Sequence, residues 1–132
     1  MDDINKYIDK SNNHFTHYDM SIIVNKVFKN LYRYIGANQW EYFDINEKIW
    51  KYDKKKTKFK IDIQTIIADI YITRYIYWCS MISTNNDINS NIHSQFMADK
   101  MFKASYKLKD NKFITTVIKE AQPFFDIHNN DN

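Results

Sequence analysis

The chain has 132 residues, of which 44% are hydrophobic and 17% aromatic, and this composition predicts one folded domain rather than a disordered segment. Its single cysteine, Cys79, excludes an intramolecular disulfide and a zinc site made of several cysteines. The net charge of +3 is mildly basic, which is compatible with a nucleic-acid partner without requiring one.

The longest apolar stretch, residues 61–82, has the length of a membrane span but not its composition. It contains Asp62, Gln64, Asp69 and Arg74. These polar residues are spread so that no window of about 18 residues is free of charge. We therefore expect no membrane partner.

Residue choice carries a separate signal about the coding sequence. Ile, Lys, Asn and Tyr are frequent, whereas the chain has one glycine and one proline, and its only arginines are Arg33 and Arg74. The favoured residues have A/T-rich codons. We therefore infer an AT-rich genome, as in large DNA viruses, some protists and some bacteria.

The first strong periodicity follows a polar segment at residues 1–18, which we predict to be a flexible N-terminal tail, or a short helix at most. We expect one helical domain over residues 19–126, beginning with a helix that Asp19 caps. The apolar residues of this helix recur at three- and four-residue steps. They are Met20, Ile23, Val24, Val27, Phe28, Leu31 and Ile35. Gly36 stands where a left-handed cap residue is expected, so the helix is predicted to end there.

Residues 39–53, QWEYFDINEKIWKYD, contain five aromatic residues. The side-chain pattern alternates with period two on both sides of a polar turn at Asn46 and Glu47, which predicts a β-hairpin. Two strands alone are only marginally stable in water, so we expect the hairpin to pack on helices. At least one aromatic face is then buried, and whether other rings stack on bases stays open.

The remaining periodicity predicts three more helices. The first has its stripe at Ile63, Ile66, Ile67, Ile70, Arg74, Tyr77, Trp78 and Met81. A polar linker at 83–94 follows, and Ser94 is expected to cap the next helix. Asp110 or Asn111 is expected to begin the last helix and Pro123 to end it, with residues 127–132 as a flexible tail. The predicted fold is mainly α, with about four helices and one small β-hairpin packed on them.

Several kinds of chemistry are excluded or unsupported. One glycine excludes the glycine-rich phosphate loops of P-loop and dinucleotide-binding proteins. His14 and His17 form an H-x-x-H pair, but they lie in the predicted tail, so we predict no metal site. No nucleophile stands in a recognisable arrangement with a base. We therefore predict that this chain is not an enzyme and uses no cofactor.

A lysine run beside the hairpin is the best candidate for function. Its members are Lys48, Lys51, Lys54, Lys55, Lys56, Lys58 and Lys60. Clustered cations neutralise phosphates, and accessible aromatic rings stack on bases. From residue types alone, the favoured alternative is a solvated loop whose lysines protect a strand edge against aggregation. A second set, Lys100, Lys103 and Lys107, is predicted to share one solvated helical face.

The order of these parts resembles a known family. A helix containing YDMSIIVNKVF precedes QWEYFDINEKIW, a long helix and then KLKDNKFITTVIKEAQPFF. This order is similar to the domain preceding the superfamily-three helicase in poxvirus-type primase–helicases of large nucleocytoplasmic DNA viruses, and in related phage and plasmid primases. The matching positions are Trp40, Tyr42, Phe43 and Trp50 in the hairpin and Leu108, Lys109, Phe113, Lys119 and Glu120 in the closing segment. The likeness covers about residues 18–126, and KKKTKFKIDIQTII departs from the family's Leu- and Arg-rich continuation.

The resemblance implies a non-catalytic domain associated with DNA replication, which binds single-stranded or forked DNA or contributes to an oligomeric collar. It implies further copies of the chain, or a separate helicase or primase chain, as partners. The implied location is a viral replication site in the host cytoplasm, or the virion. The alternative is a free-standing structural or protein-interaction protein of a large DNA virus, which would use exposed aromatics such as Tyr75 or Trp78.

The hairpin aromatics are predicted to divide between two roles. Trp40, Phe43 and Trp50 are expected to hold the hairpin on the helices. The predicted nucleic-acid-binding residues are Lys51, Lys54, Lys55, Lys56, Lys58, Lys60, Tyr42 and Tyr52. The two tyrosines are included because they lie beside the lysine run.

Overall fold

The computed structural model describes residues 2–10, 15–84 and 87–129. The described part of the protein is mainly helical, with 71% of its residues in helices, and it has one small antiparallel sheet. The elements are α1 (Asp2–Lys10), α2 (His17–Phe28), β1 (Tyr32–Gly36), β2 (Gln39–Asp44), β3 (Ile49–Tyr52), α3 (Thr57–Asp62), α4 (Ala68–Thr84), α5 (Ile88–Lys107) and α6 (Asn111–Phe125). A π-helical stretch, Ile63–Ile67, joins α3 to α4, so the described residues form five separate helical rods. Within these ranges, no helix is long and apolar enough to cross a membrane.

Helix α2 is shorter at its C-terminal end than predicted. Thr16 is its N-cap, and Asp19 completes a capping box with Thr16 rather than acting as the cap itself. After Phe28 the chain turns back, because Asn30 adopts a positive φ of 74° and the Leu31 N–H donates to the Phe28 carbonyl at 2.8 Å. This is the geometry of a type II turn, in which asparagine can replace glycine. The predicted continuation of the helix to residue 35 is therefore wrong.

The residues after this turn form β1, the first strand of a three-stranded sheet in the order β1-β2-β3. A two-residue turn joins β1 to β2, and both of its residues, Ala37 and Asn38, have positive φ, as a type I′ hairpin requires. Gly36 therefore ends a strand and not a helix. The hairpin predicted at residues 39–53 is present as β2 and β3.

An aromatic cluster between the sheet and the helices forms the centre of the core. Trp40 from β2 is 1% exposed, and its ring lies 5.0 Å from that of Phe59 and 5.6 Å from that of Phe125, measured between centroids. Tyr32 from β1 stacks on Phe59 at 4.1 Å. Because large rings bury the most apolar area, this cluster fixes the sheet against α3 and α6.

Helices α4 and α5 form an antiparallel pair, with two departures from the predicted helical stripes. Tyr71 is fully buried, whereas Ile66 and Tyr77, predicted to face inward, are 43% and 39% exposed. The π-helical stretch explains the shift, because one extra residue in a turn rotates the following side chains around the helix axis. Helix α5 begins at Ile88 with Asp87 as its N-cap, and Ser94, the predicted cap, is buried inside the helix.

The N-terminal segment, predicted as a flexible tail over residues 1–18, contains α1 and contributes to the core. The side chains of Ile8 and Phe15 are buried. The Asp9 carboxylate accepts hydrogen bonds from the Arg74 guanidinium and from Trp78 Nε1, the latter at 3.1 Å. These contacts attach α1 to α4.

The C-terminal segment lies beside the sheet. Helix α6 begins after its N-cap Asp110, as predicted, but it continues through Pro123 to Phe125. The residues that follow run along β1, and the Ile127 N–H donates to the Tyr34 carbonyl at 3.2 Å. This part of the predicted tail at 127–132 therefore covers one edge of the sheet, and residues 130–132 lie outside the described residues.

Candidate nucleic-acid interface

Within the lysine run, residues 53–56 form a tight turn in an unusual backbone conformation, which we call the lysine turn. Lys55 and Lys56 both adopt the left-handed region, with φ of 57° and 58°. For residues with a side chain this conformation costs of order 1 kcal/mol or more each, so the surrounding structure must hold it. The turn is closed by the Lys56 N–H, which donates to the Asp53 carbonyl at 3.1 Å.

Asp53 connects this turn to the core. Its carboxylate is buried and accepts hydrogen bonds from the backbone N–H groups of Lys58 and Phe59, each at 2.9 Å, at the first turn of α3. Its own N–H donates to the Trp40 carbonyl at 2.9 Å. A buried carboxylate at a helix N-terminus is stabilised by these donors and by the helix dipole. The aspartate therefore fixes the lysine turn relative to the aromatic cluster.

Beside the turn lies an open groove between the sheet and α3, with a volume of about 440 Å³. It is lined by Tyr42, Tyr52, Asp53, Lys54, Lys55, Thr57, Lys58 and Ile61. The Tyr52 side chain is 56% exposed. The ammonium group of Lys58 lies 5.1 Å from the centre of the Tyr42 ring, within the range of a cation–π contact. The groove therefore combines an accessible ring with three lysines.

The lysines of the groove differ in how far their charges are already neutralised. Lys58 forms an ion pair with Asp62 at 2.9 Å. Tyr32 donates its hydroxyl hydrogen to the same carboxylate, and burial, reinforced by this bond, raises the pKa of Tyr32 far above its usual range. In the described parts of the chain, Lys54 and Lys55 are exposed and have no acidic partner. These two lysines are therefore the cations best able to meet an added phosphate.

Three of the predicted lysines do not line the groove. Lys51 is held at the hairpin tip, where its ammonium group lies 2.9 Å from Asp44 and 2.6 Å from Glu47. Hydrogen bonds to these carboxylates raise the pKa of Lys51, and the bond to Glu47 has the larger effect. Lys56 and Lys60 lie near each other, and burial, followed by the charge of Lys60, lowers the pKa of Lys56. The groove thus brings together five of the eight predicted residues: Tyr42, Tyr52, Lys54, Lys55 and Lys58.

The sheet face opposite the core carries two aromatics that were expected to hold the hairpin on the helices. Phe43 and Trp50 pair across β2 and β3 on this outer face, with their ring centroids 5.4 Å apart. The Arg33 guanidinium lies 4.3 Å from the centre of the Trp50 ring and forms an ion pair with Glu41 at 2.7 Å. That expectation is confirmed for Trp40 alone. Sequence reasoning missed Arg33, because the strand that contains it was assigned to a helix.

The other candidate groups have structural partners. His17 packs against Phe113, and His93 against Trp78. His14 lies outside the described residues. Among the residues that are described, no three His, Cys, Asp or Glu side chains are placed to hold a metal ion.

The second lysine set does not form the single solvated face that was predicted. Lys100 is buried, and its ammonium group donates to the Asp9 carbonyl at 3.3 Å. Lys107 donates to the Phe15 carbonyl at 3.1 Å. Lys103 alone remains largely exposed. These lysines therefore hold the N-terminal segment more than they offer charge to a ligand.

Comparisons of the sequence with known protein families and with curated proteins gave no match. The resemblance to the domain that precedes the viral superfamily-three helicase therefore stays a prediction. The candidate interface rests on the geometry of the groove and on the resemblance.

Proposed function

We propose that this protein is a non-catalytic DNA-binding protein of viral replication, and that single-stranded DNA binds in the groove beside the lysine turn. The observation that carries the proposal is that Tyr52, Lys54 and Lys55 line one open groove. These residues come from β3 and from the turn after it, and Asp53 holds the turn at a fixed position.

Each group would have a separate role. The Tyr52 ring is accessible for stacking on a base, and such stacking contributes about 1–3 kcal/mol per base. Lys54 and Lys55 would neutralise two phosphates and release the counterions condensed on them. Lys58 and Tyr42 would form the wall of the groove, with the Lys58 charge already shared with Asp62.

The groove favours a single strand over a duplex. A base must leave its stack before a tyrosine ring can cover its face, and bases in a duplex are stacked and paired. The charge is also concentrated at one turn rather than spread along a long face, as a duplex backbone would require. A fork offers both an unpaired strand and an adjacent duplex, so forked DNA is a further proposed ligand.

The place in replication is supported by the resemblance described above. On that basis we propose that the chain acts beside a helicase or primase, at a viral replication site in the cytoplasm, or as part of a virion. The exposed aromatic residues of α5 favour a second candidate function, that of a protein-interaction or structural protein. The two functions use different surfaces and can be tested separately.

The DNA proposal is tested by measuring the anisotropy of fluorescent single-stranded, forked and duplex oligonucleotides across a salt series. We expect Lys54→Glu/Lys55→Glu to weaken single-strand binding and to reduce the slope of log affinity against log salt by about 1.4, roughly 0.7 for each lost phosphate contact on a single strand. The parent protein should bind the single strand more tightly than the duplex of equal length.

A matched control is Lys112→Glu/Lys119→Glu, which makes the same change in net charge at two exposed positions of α6. We expect this variant to keep most of the affinity and the same salt slope. If the two double variants lose affinity equally, net charge rather than the groove determines binding. If neither the parent nor the variants bind at low salt, the proposed function is wrong.

A further inference from the structure

Helix α5 is apolar on two opposite faces. One face is buried in the core through residues such as Met97, Met101 and Ala104. On the other face Phe96 and Phe102 are each 48% exposed and Tyr106 is 63% exposed. A surface helix normally carries polar residues on the face away from the core, so an aromatic stripe there indicates a contact surface. We call this stripe the outer face of α5, and it consists of Ile92, Phe96, Asp99, Phe102, Lys103 and Tyr106.

Two shallow hollows follow the outer face. The first has a volume of about 460 Å³ and is lined by Tyr75, Ile92 and Phe96, among others. The second has a volume of about 480 Å³ and is lined by Phe102, Lys103 and Tyr106. Asp99 borders both hollows, so they lie on either side of one position in the helix. Each hollow therefore lies next to an exposed aromatic ring.

The charges on this face form a self-complementary pattern. Asp99 and Lys103 are 61% and 72% exposed and form an ion pair at 2.9 Å within the helix. If two copies of α5 run antiparallel about a two-fold axis at residue 101, Asp99 of each copy faces Lys103 of the other. The same axis brings Phe96 opposite Tyr106, because both pairs have their midpoint at residue 101. A two-fold interface requires such matches, because every contact of one residue with a second residue of the other copy occurs twice, once from each copy.

We propose that the outer face of α5 binds a second copy of this chain in an antiparallel, two-fold dimer. Phe96 of one copy enters the hollow beside Tyr106 of the other, and Tyr106 enters the hollow beside Phe96. Asp99 and Lys103 form two ion pairs across the interface. These charges also oppose a parallel arrangement, in which Asp99 would face Asp99 and Lys103 would face Lys103.

The size of the surface sets the expected strength of the dimer. Helix α5 has 20 residues and is therefore about 30 Å long. Contact between two such helices falls at the lower end of the interface range, below the roughly 1,600 Å² of a standard complex. We therefore expect a reversible dimer with a dissociation constant in the micromolar range. The proposal is independent of the DNA-binding function, because no residue of the outer face lines the groove.

Charge reversal tests the proposal directly, and sedimentation equilibrium from low micromolar to millimolar protein is the measurement. Asp99→Lys alone and Lys103→Glu alone each place like charges opposite one another, and we expect each to raise the dissociation constant at least about tenfold. The two single variants mixed together should form a heterodimer. The double variant Asp99→Lys/Lys103→Glu should dimerise like the parent, because it restores both pairs. Circular dichroism checks that every variant is folded.

A pair of aromatic truncations tests the hollows. We expect Phe96→Ala to weaken the dimer and Tyr18→Ala, which removes another half-exposed ring on α2, to leave it unchanged. A parent that stays monomeric at millimolar concentration would overturn the proposal. So would a dimer that both single charge reversals leave intact, or an assembly larger than a dimer, since a two-fold interface closes on itself.

Discussion

Trp40 and Trp50 lie in neighbouring strands of one hairpin, but they have different surroundings. Trp40 points into the aromatic cluster and is 1% exposed. Trp50 lies on the outer face of the sheet, partly exposed, between Phe43 and Arg33. Side chains alternate between the two faces of a strand, so the cross-strand register decides which ring is buried. An aromatic-rich stretch can thus supply both a core and a surface.

The comparison extends from the two tryptophans to the groove. The N–H of Asp53 donates to the Trp40 carbonyl, and the buried carboxylate of the same residue accepts from two backbone N–H groups in the first turn of α3. The groove therefore lies at the end of the hairpin that Asp53 joins to the core. Lys51, in contrast, is bound by the acidic residues of the hairpin tip. The end of the hairpin nearest the core therefore determines the position of the candidate site, and the tip of the hairpin does not.

Truncating the two tryptophans should have the largest effect and should separate the two faces. We expect Trp40→Ala to lower the free energy of unfolding by about 3–5 kcal/mol, since it leaves a large cavity in the core. Trp50→Ala removes one ring pair and one cation–π contact, worth about 1–2 kcal/mol together. Urea unfolding followed by circular dichroism measures both. Equal losses would show that the outer face contributes as much as the cluster.

Part of this fold was accessible from sequence. The hairpin at residues 39–53 and the start of the last helix at Asp110 or Asn111 were predicted where they occur, because alternation and helix-start residues are local signals. Strand β1 was missed. Leu31 and Ile35 also fit a helical step, and the turn at Asn30 depends on a left-handed asparagine that residue type alone does not reveal.

Less of the candidate site than of the fold could be predicted from the sequence. The lysine run and the two neighbouring tyrosines lie in the part of the chain that forms the groove. The run could not be divided by sequence, because the pairing of Lys51 depends on the register between β2 and β3. The left-handed conformation of Lys55 and Lys56 was equally hidden, since the turn is closed by a hydrogen bond to Asp53, whose burial residue type does not reveal. Tertiary contacts therefore determine which lysines face the groove.

Removing the buried carboxylate of Asp53 tests whether the core determines the position of the groove. We expect Asp53→Ala to lower the free energy of unfolding by about 2 kcal/mol, because two backbone donors at α3 lose a charged acceptor. It should also weaken single-strand DNA binding, although the variant is more positively charged than the parent. Urea unfolding and fluorescence anisotropy give the two quantities.

The control for this variant is Glu47→Ala, which removes an exposed acid at the hairpin tip and makes the same change in net charge. We expect it to leave DNA affinity equal or slightly higher, since it frees Lys51 from one partner. Tighter binding by Asp53→Ala would show that charge alone governs affinity and that the shape of the turn does not matter.

The hairpin tip should show the smallest effect, as a pH dependence confined to its surface. The hydrogen bond from Lys51, followed by that from the Glu47 backbone, lowers the pKa of Asp44 below its usual 3.8. Because the pKa is lower in the folded state, the contribution to stability is present above the usual value and is lost as pH falls through the folded one. The Asn46 and Glu47 amide signals report this step by NMR, since both donate to Asp44. We expect the step to lie below the usual Asp pKa and to disappear in Asp44→Asn, while the Trp40 indole signal stays constant over the same range. A step that persists in Asp44→Asn would assign the pH dependence to another carboxylate of the tip.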